Sequence, residues 1–347
     1  MRATLCFIIL ASAVVSCKQA TTGPTPPSGL DTTSHSILWT TDSMGYFSSR
    51  LLDLWGTSPS NIYAVGLLQT VGVVLPSFIV HYDGANWAAI QDDSLSRWVG
   101  AGLLASIHGI SDTAMFVAGS MDSHTKAIGF VARWNGRQWT NISPPDSIAL
   151  TAIWVKSVTD VYVGGEKGTI LRYNGHSWQS LETGTILDIW QITGLPSGEV
   201  YAVASDYFNS FAGSLILRIQ ENNVSQDQFF PVGRKFGIWG TANGEAYAAG
   251  EGIFHKSTGS SWQEIATTNP GVAMWSVGGT AADNVLVVGA YGAVSHWNGK
   301  SWMFYDELYD RSSSRSYFNA FAIANKYFLV GNTPSHAVIT VGTRSEP

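Results

Sequence analysis

One aromatic-led unit returns along the chain, and any fold it adopts must accommodate that return. Its anchor is an aromatic residue ending an apolar run, with Tyr or Phe eight residues later and Gly three after that. Trp55, Tyr63 and Gly66 form the first copy; His108, Phe116 and Gly119 the second; Trp154, Tyr162 and Gly165 the third. The fourth reads Trp190, Tyr201 and Ala204, stretched by three residues. Trp239, Tyr247 and Gly250 follow, then Trp275, Leu286 and Gly289, stretched again. A degraded seventh copy spans Phe318 to Gly331. Each copy closes on a second motif: Tyr82-Asp83-Gly84-Ala85-Asn86-Trp87, with counterparts at Trp134–Trp139, Tyr173–Trp178 and Trp297–Trp302. The run 258–262 is a shorter echo, and in the fourth copy the motif decays to Asn222-Asn223.

Asp-Gly or Asn-Gly between apolar runs predicts a two-residue type I′ hairpin, whose central residues both need positive φ. Each unit then contains four short strands, and no helical periodicity of useful length interrupts them. Four-stranded units of about 40–50 residues are blades of a β-propeller, an arrangement that leaves only short sheet edges and buries aromatic layers between blades. The last copy supplies three strands, and His35-Ser36-Ile37-Leu38-Trp39-Thr40 reads like the outer strand of a unit. The expected architecture is therefore an all-β, seven-bladed propeller over residues 35–343, closed by the N-terminal strand pairing with the C-terminal three.

The chain opens with Met1-Arg2-Ala3-Thr4, an apolar run from Leu5 to Val15, and Ser16-Cys17. This is the pattern of an export signal, and the run is too short for a spanning helix, which needs about 20 residues. Val14-Val15-Ser16-Cys17 resembles a bacterial lipobox, in which the Cys becomes the lipidated first residue; Val14 stands where Leu is usual. Expected boundaries are a signal peptide over 1–16 and, over 17–34, a lipid anchor at Cys17 with a Pro/Thr/Ser tether. Cys6 falls within the signal, so the mature chain holds no disulfide. The expected address is an exported, membrane-anchored lipoprotein of the outer membrane. A net charge of −6 argues against nucleic acid as a partner.

Insertions in repeat folds collect on the working face. Here they fall between the second and third strands of a unit (67–77, 120–126, 206–214) or between one unit and the next (91–102, 306–316), and both connection types emerge on the same face of a propeller. The candidate ligand-binding residues on those loops are Asp92, Arg97, Trp98, Asp122, His124, Tyr207, Phe208 and Arg311. Exposed aromatics beside charged groups suit contacts with a protein or a glycan. The competing reading is that the loops only cover the channel mouth. His81, His255 and His296 share one repeat position with Arg133 and Arg172, so no metal site is expected there, and no zinc, calcium or phosphate-loop motif occurs. No cofactor and no catalytic residue is assigned.

The hairpin motif resembles the Asp-box of sialidase-type propellers. The repeats are more similar still to exported bacterial β-propeller lipoproteins, with relatives among kelch-like and photosystem-assembly-factor propellers. That resemblance implies a fold and leaves activity open; the arginines of this chain do not match the sialidase catalytic motif, so none is carried over. The expected function is a lipid-anchored binding or scaffold module of the cell envelope, holding a protein or glycan. The alternative is a glycan-acting hydrolase or lyase, which would need paired carboxylates at the channel mouth.

Overall fold

The computed structural model describes residues 33–345 apart from 71, 73–75, 123–126, 146–147 and 267–270. The signal peptide, Cys17 and nearly all of the tether lie outside the described residues, as does His124. The described chain forms seven four-stranded antiparallel sheets, the blades of a propeller. Blades 1 to 6 each take four consecutive strands, from Arg50–Ser58 through Trp302–Phe304. Blade 7 takes its inner three from the C-terminus and its outer strand from Ile37–Met44, which pairs along its whole length with Ala337–Arg344. The ring is thereby closed by hydrogen bonds between the two ends of the fold.

Antiparallel succession puts the first-to-second and third-to-fourth turns of every blade on one face, here called the underside. The second-to-third loops and the blade-to-blade connections fall on the other, the loop-bearing face. Apolar side chains alternate inward from adjacent sheets and mesh between them. Val65, Phe78 and Ile79 of blade 1, for example, share a cluster with Leu104, Val117 and Phe130 of blade 2. Three anchor tryptophans lie over a glycine of the following blade. A Cβ on Gly109 would stand 2.8 Å from the Trp55 ring, one on Gly194 2.0 Å from Trp154, and one on Gly279 3.1 Å from Trp239. Glycine there lets the indole lie flat on the neighbouring strand.

The ladders correct the expected register of two blades. Every inner strand carries a bulge near its start, and pairing resumes one residue later. The residue opposite Tyr201 is Thr193, and the one opposite Leu286 is Gly278, so these, not Trp190 and Trp275, occupy the anchor place. Trp190 and Trp275 sit at the bulges. The expected three-residue stretches vanish, since Thr193 and Gly278 stand eight residues before their partners, as Trp55 stands before Tyr63.

The outer hairpins also differ from expectation. Gly84, Gly136, Gly175 and Gly299 have positive φ, but the Asp or Asn before each does not. The acidic or amide side chain instead accepts from the next two free amides: Asp83 Oδ1 from Ala85 and Asn86 at 2.8 and 2.7 Å, with Asn135, Asn174 and Asn298 doing the same. These are side-chain-capped turns, not type I′. A helix the periodicity did not predict, Asp93–Val99, fills the connection from blade 1 to blade 2. It is too short to show a period, and only its Asp92 cap marks it.

Candidate functional site: the mouth of the channel

The bulges of the inner strands turn one side chain per blade toward the central channel at its loop-bearing end. On blades 4 to 7 these are Trp190, Phe236, Trp275 and Phe318; on blades 1 to 3 they are Leu52, Ala105 and Thr151. The mouth thus has an aromatic wall facing a small-residue wall. Behind it is a cavity of about 710 Å³, within the size range of small-ligand sites. Deeper in, the anchor residues Trp55, His108, Trp154 and Trp239 form its lower wall.

Tyr207 reaches this wall from the second-to-third loop of blade 4. Its ring stacks on Trp275 (centroids 5.8 Å, planes 18° apart) and lies 5.8 Å from Trp190 and 6.1 Å from Phe236. The loop is held from below: Arg234 donates to the Tyr207 carbonyl at 2.8 Å and to Glu251 at 2.7 Å. Beside Tyr207, Phe208 is 92% and Phe211 84% exposed. Other large apolar side chains exposed around the same face are Tyr46, Phe47, Ile186, Val232 and Tyr291, contributed by connections of several blades.

Between the bulge residues and the anchors runs a polar belt that the sequence reading missed. Asp53 accepts from Ser106 Oγ at 2.6 Å, the Ile107 amide at 2.9 Å, the Leu54 amide at 2.8 Å, and the side-chain amide of Asn319. Ser276 donates to Asn319 at 2.9 Å, the Ile153 amide donates to Ser106 at 3.2 Å, and the Ile238 amide to Gln191 at 2.9 Å. Thr151 donates to the Ile189 carbonyl. These bonds tie six of the seven blade junctions. At the remaining one, Gly237 lets the backbones meet, since a Cβ there would stand 2.7 Å from Ser276 Cα. Burial pushes Asp53 up to about 6 against the pull of its four donors. His108 accepts from the Val155 amide through Nδ1 at 3.1 Å, which fixes the neutral tautomer with hydrogen on Nε2. Burial lowers its pKa to about 4.

Of the eight loop residues expected to bind, Tyr207 lines the cavity and Phe208 flanks it. Asp92 caps the short helix, accepting from Ser94 and Leu95 at 3.0 and 2.9 Å. Trp98 is half-buried and packs on Phe130 at 6.3 Å, and Arg97 is exposed on the same helix. Asp122 ends the strand Ala114–Asp122. Arg311 is exposed and folds over the ring of Tyr309, outside the cavity wall. The residues of the aromatic wall carried a signal that was visible but misplaced: once the strand pairing sets the register, Trp190 and Trp275 leave the anchor series and join Phe236 and Phe318.

At the repeated His/Arg position, His81, His255 and Arg172 each pack on an aromatic ring of their own blade. His81 stacks on Tyr63 at 4.5 Å and His255 on Tyr247 at 4.6 Å, while the Arg172 guanidinium lies 5.3 Å from the Tyr162 ring. Each also bonds a polar residue on the same blade: Asn61, Glu245 and Asp160. Among the described residues no cluster of His, Cys, Asp and Glu could hold a metal.

No protein-family model matches the chain. No curated protein matches it either. Many solved structures do. YCF48 bound to D1 peptide matches with 14% identity and a TM-score of 0.64, over 89% of this chain and 97% of its own. A catalytically inactive virginiamycin B lyase from Staphylococcus aureus with quinupristin matches with 11% identity and a TM-score of 0.66, over 89% and 99%. The RRP9 WD40 repeats match with 10% identity and a TM-score of 0.59, over 90% and 99%. At such identities the likeness carries the fold alone, a β-propeller.

Proposed function

We propose that the protein is a lipid-anchored, cell-envelope propeller that binds a partner protein on its loop-bearing face, centred on the channel mouth. The observation that carries this is the concentration of apolar groups on that one face, an aromatic wall at the mouth and exposed Phe, Ile and Val side chains around it. Contiguous exposed apolar surface marks interaction sites, and large aromatics dominate binding energy in them. A protein fits better than a glycan. Sugar rings favour open indole and phenol planes, and here the Tyr207 and Trp275 planes are stacked on each other. That YCF48 is recorded with a bound peptide supports the reading by analogy of fold only. The hydrolase alternative is weaker: Asp53 and Glu166 are the carboxylates on the cavity wall, and all of Asp53's acceptor capacity is engaged by neighbouring blades. The apolar run Leu5–Val15 and the lipobox-like Val14-Val15-Ser16-Cys17 support the anchor, and Lys18 after the Cys is compatible with an outer-membrane address.

A photo-crosslinker at position 208 is expected to trap a discrete partner in intact cells, and one at position 110, on the underside, is not. Equal trapping from both faces would sink the proposal. Cys17→Ser is expected to abolish labelling by an alkynyl fatty acid and to move the protein from the membrane to the soluble fraction.

A further inference from the structure

The cavity behind the mouth is depleted of charge. No Lys or Arg lines it, Asp53 is fully engaged within the belt, and Glu166 stands at the loop-bearing end, in the turn Glu166–Gly168. An anion entering would shed water and meet no counter-ion, and a cation would find only Glu166 at the rim and Asp53, whose oxygens are already occupied by neutral donors. Among the polar groups of the wall with unused capacity are fixed donors, including the buried Trp275 indole N–H. His108 spends Nδ1 on the Val155 amide, which leaves its Nε2–H without a partner among the described residues. Gln191 spends Oε1 on the Ile238 amide, which leaves both hydrogens of Nε2. His108 belongs to blade 2 and Gln191 to blade 4, so the two donor groups flank the Trp154 wall of blade 3.

We infer that the cavity receives an uncharged, apolar stretch of polypeptide from within a chain, whose main-chain carbonyl oxygens accept from His108 and Gln191 while its side chains rest on the aromatic wall. This rests on the protein-binding reading and adds to it the chemistry of the segment. Free chain ends and segments with a central charge are disfavoured: an anion would be buried with no counter-ion, and a cation would find no carboxylate oxygen free inside the rim. An extended peptide main chain presents acceptors at regular intervals, Gln191 stands at the level of the belt with His108 one tier deeper, and the aromatic wall offers apolar surface to the side chains.

The test uses the mature protein and N-acetylated, C-amidated octapeptides with Leu, Val or Phe at the central positions, read by quenching of intrinsic Trp fluorescence at pH 8. The controls carry a central Asp, a central Lys, or a free C-terminal carboxylate. Capped apolar peptides are expected to bind at least tenfold more tightly than all three controls. Gln191→Glu keeps the acceptor for the Ile238 amide and replaces the free donor by a carboxylate. It is expected to weaken capped apolar peptides tenfold or more and to strengthen the central-Lys peptide, a reversal that mere damage to the fold would not give. Charged peptides binding as well as neutral ones would overturn the inference and leave the protein-binding reading standing. The inference also falls, alone, if no peptide binds while crosslinking from position 208 still traps a partner. Failure of both experiments removes both.

Discussion

Three buried ionisable side chains set opposite demands on pH. His108 and His296 are held neutral, with pKa values near 4 and 3; burial is the main cause in both, and His35 and Arg344 add to it at His296. Between pH 6.5 and 4 the unfolded chain protonates these imidazoles and the folded chain does not, so both histidines make the fold less stable as pH falls. Asp53 has the opposite sign. Its folded pKa of about 6 lies above the ordinary 3.8, so over that window the folded state holds a proton that the unfolded state has released. Its contribution is fully present below the unfolded pKa and is lost as pH rises through 6. The shift amounts to at most about 3 kcal/mol, less whatever channel water screens. Two histidines outweigh one carboxyl, so stability to urea is expected to fall between pH 6.5 and 4.5. Asp53→Asn, which removes the compensating group, is expected to steepen that fall. A shallower slope in the variant would contradict the assignment.

At the scale of the element, the connection 91–102 shows how a loop residue can look functional and be structural. Asp92→Ala is expected to cost about 1 kcal/mol in denaturant melts, the usual worth of a helix N-cap, with no loss of partner trapping from position 208. The outer hairpins behave similarly. Gly84 has φ +103° and lies 2.7 Å, measured from an ideal Cβ, from the Ser60 side chain, so Gly84→Ala is expected to lower stability by about 1–2 kcal/mol. The strands, the blade count and the ring closure were legible in the sequence because seven near-copies average out local noise. The site was less so. Aligning Trp with Trp placed Trp190 and Trp275 in the anchor series, three residues before Thr193 and Gly278, because these two blades carry their Trp at the bulge and not at the anchor. The belt through Asp53, Ser106, Gln191, Ser276 and Asn319 was hidden for the same reason: only the corrected register brings its members to one level. Tyr207 was legible because it falls in an insertion, the one place where a repeat protein departs from its own template.

For the whole molecule, closure is the step on which cooperativity depends. The strand Ile37–Met44 is held by eight register pairs to Ala337–Arg344, and its entry is pinned beyond the ladder. Tyr305 donates to the His35 carbonyl at 2.9 Å, the His35 and His296 Nδ1 atoms lie 3.0 Å apart, and Ser345 bonds Ser36. Removing residues 35–44 would leave Ala337–Arg344 as an unpaired edge and uncover Trp39's contact surface on Tyr305 and Tyr327. Such a truncation is expected to aggregate, or to melt broadly rather than in one transition, by calorimetry and size-exclusion chromatography.

The same strand has a bearing on direction. It enters the ring from the underside, where Thr33 donates to the carbonyl of Asp283 in the first-to-second turn of blade 6. A chain fixed at Cys17 would be attached through that side, so the aromatic mouth lies at the end of the disc away from its point of attachment. A partner seated in the mouth would then leave the tether and its anchor clear, on the opposite face.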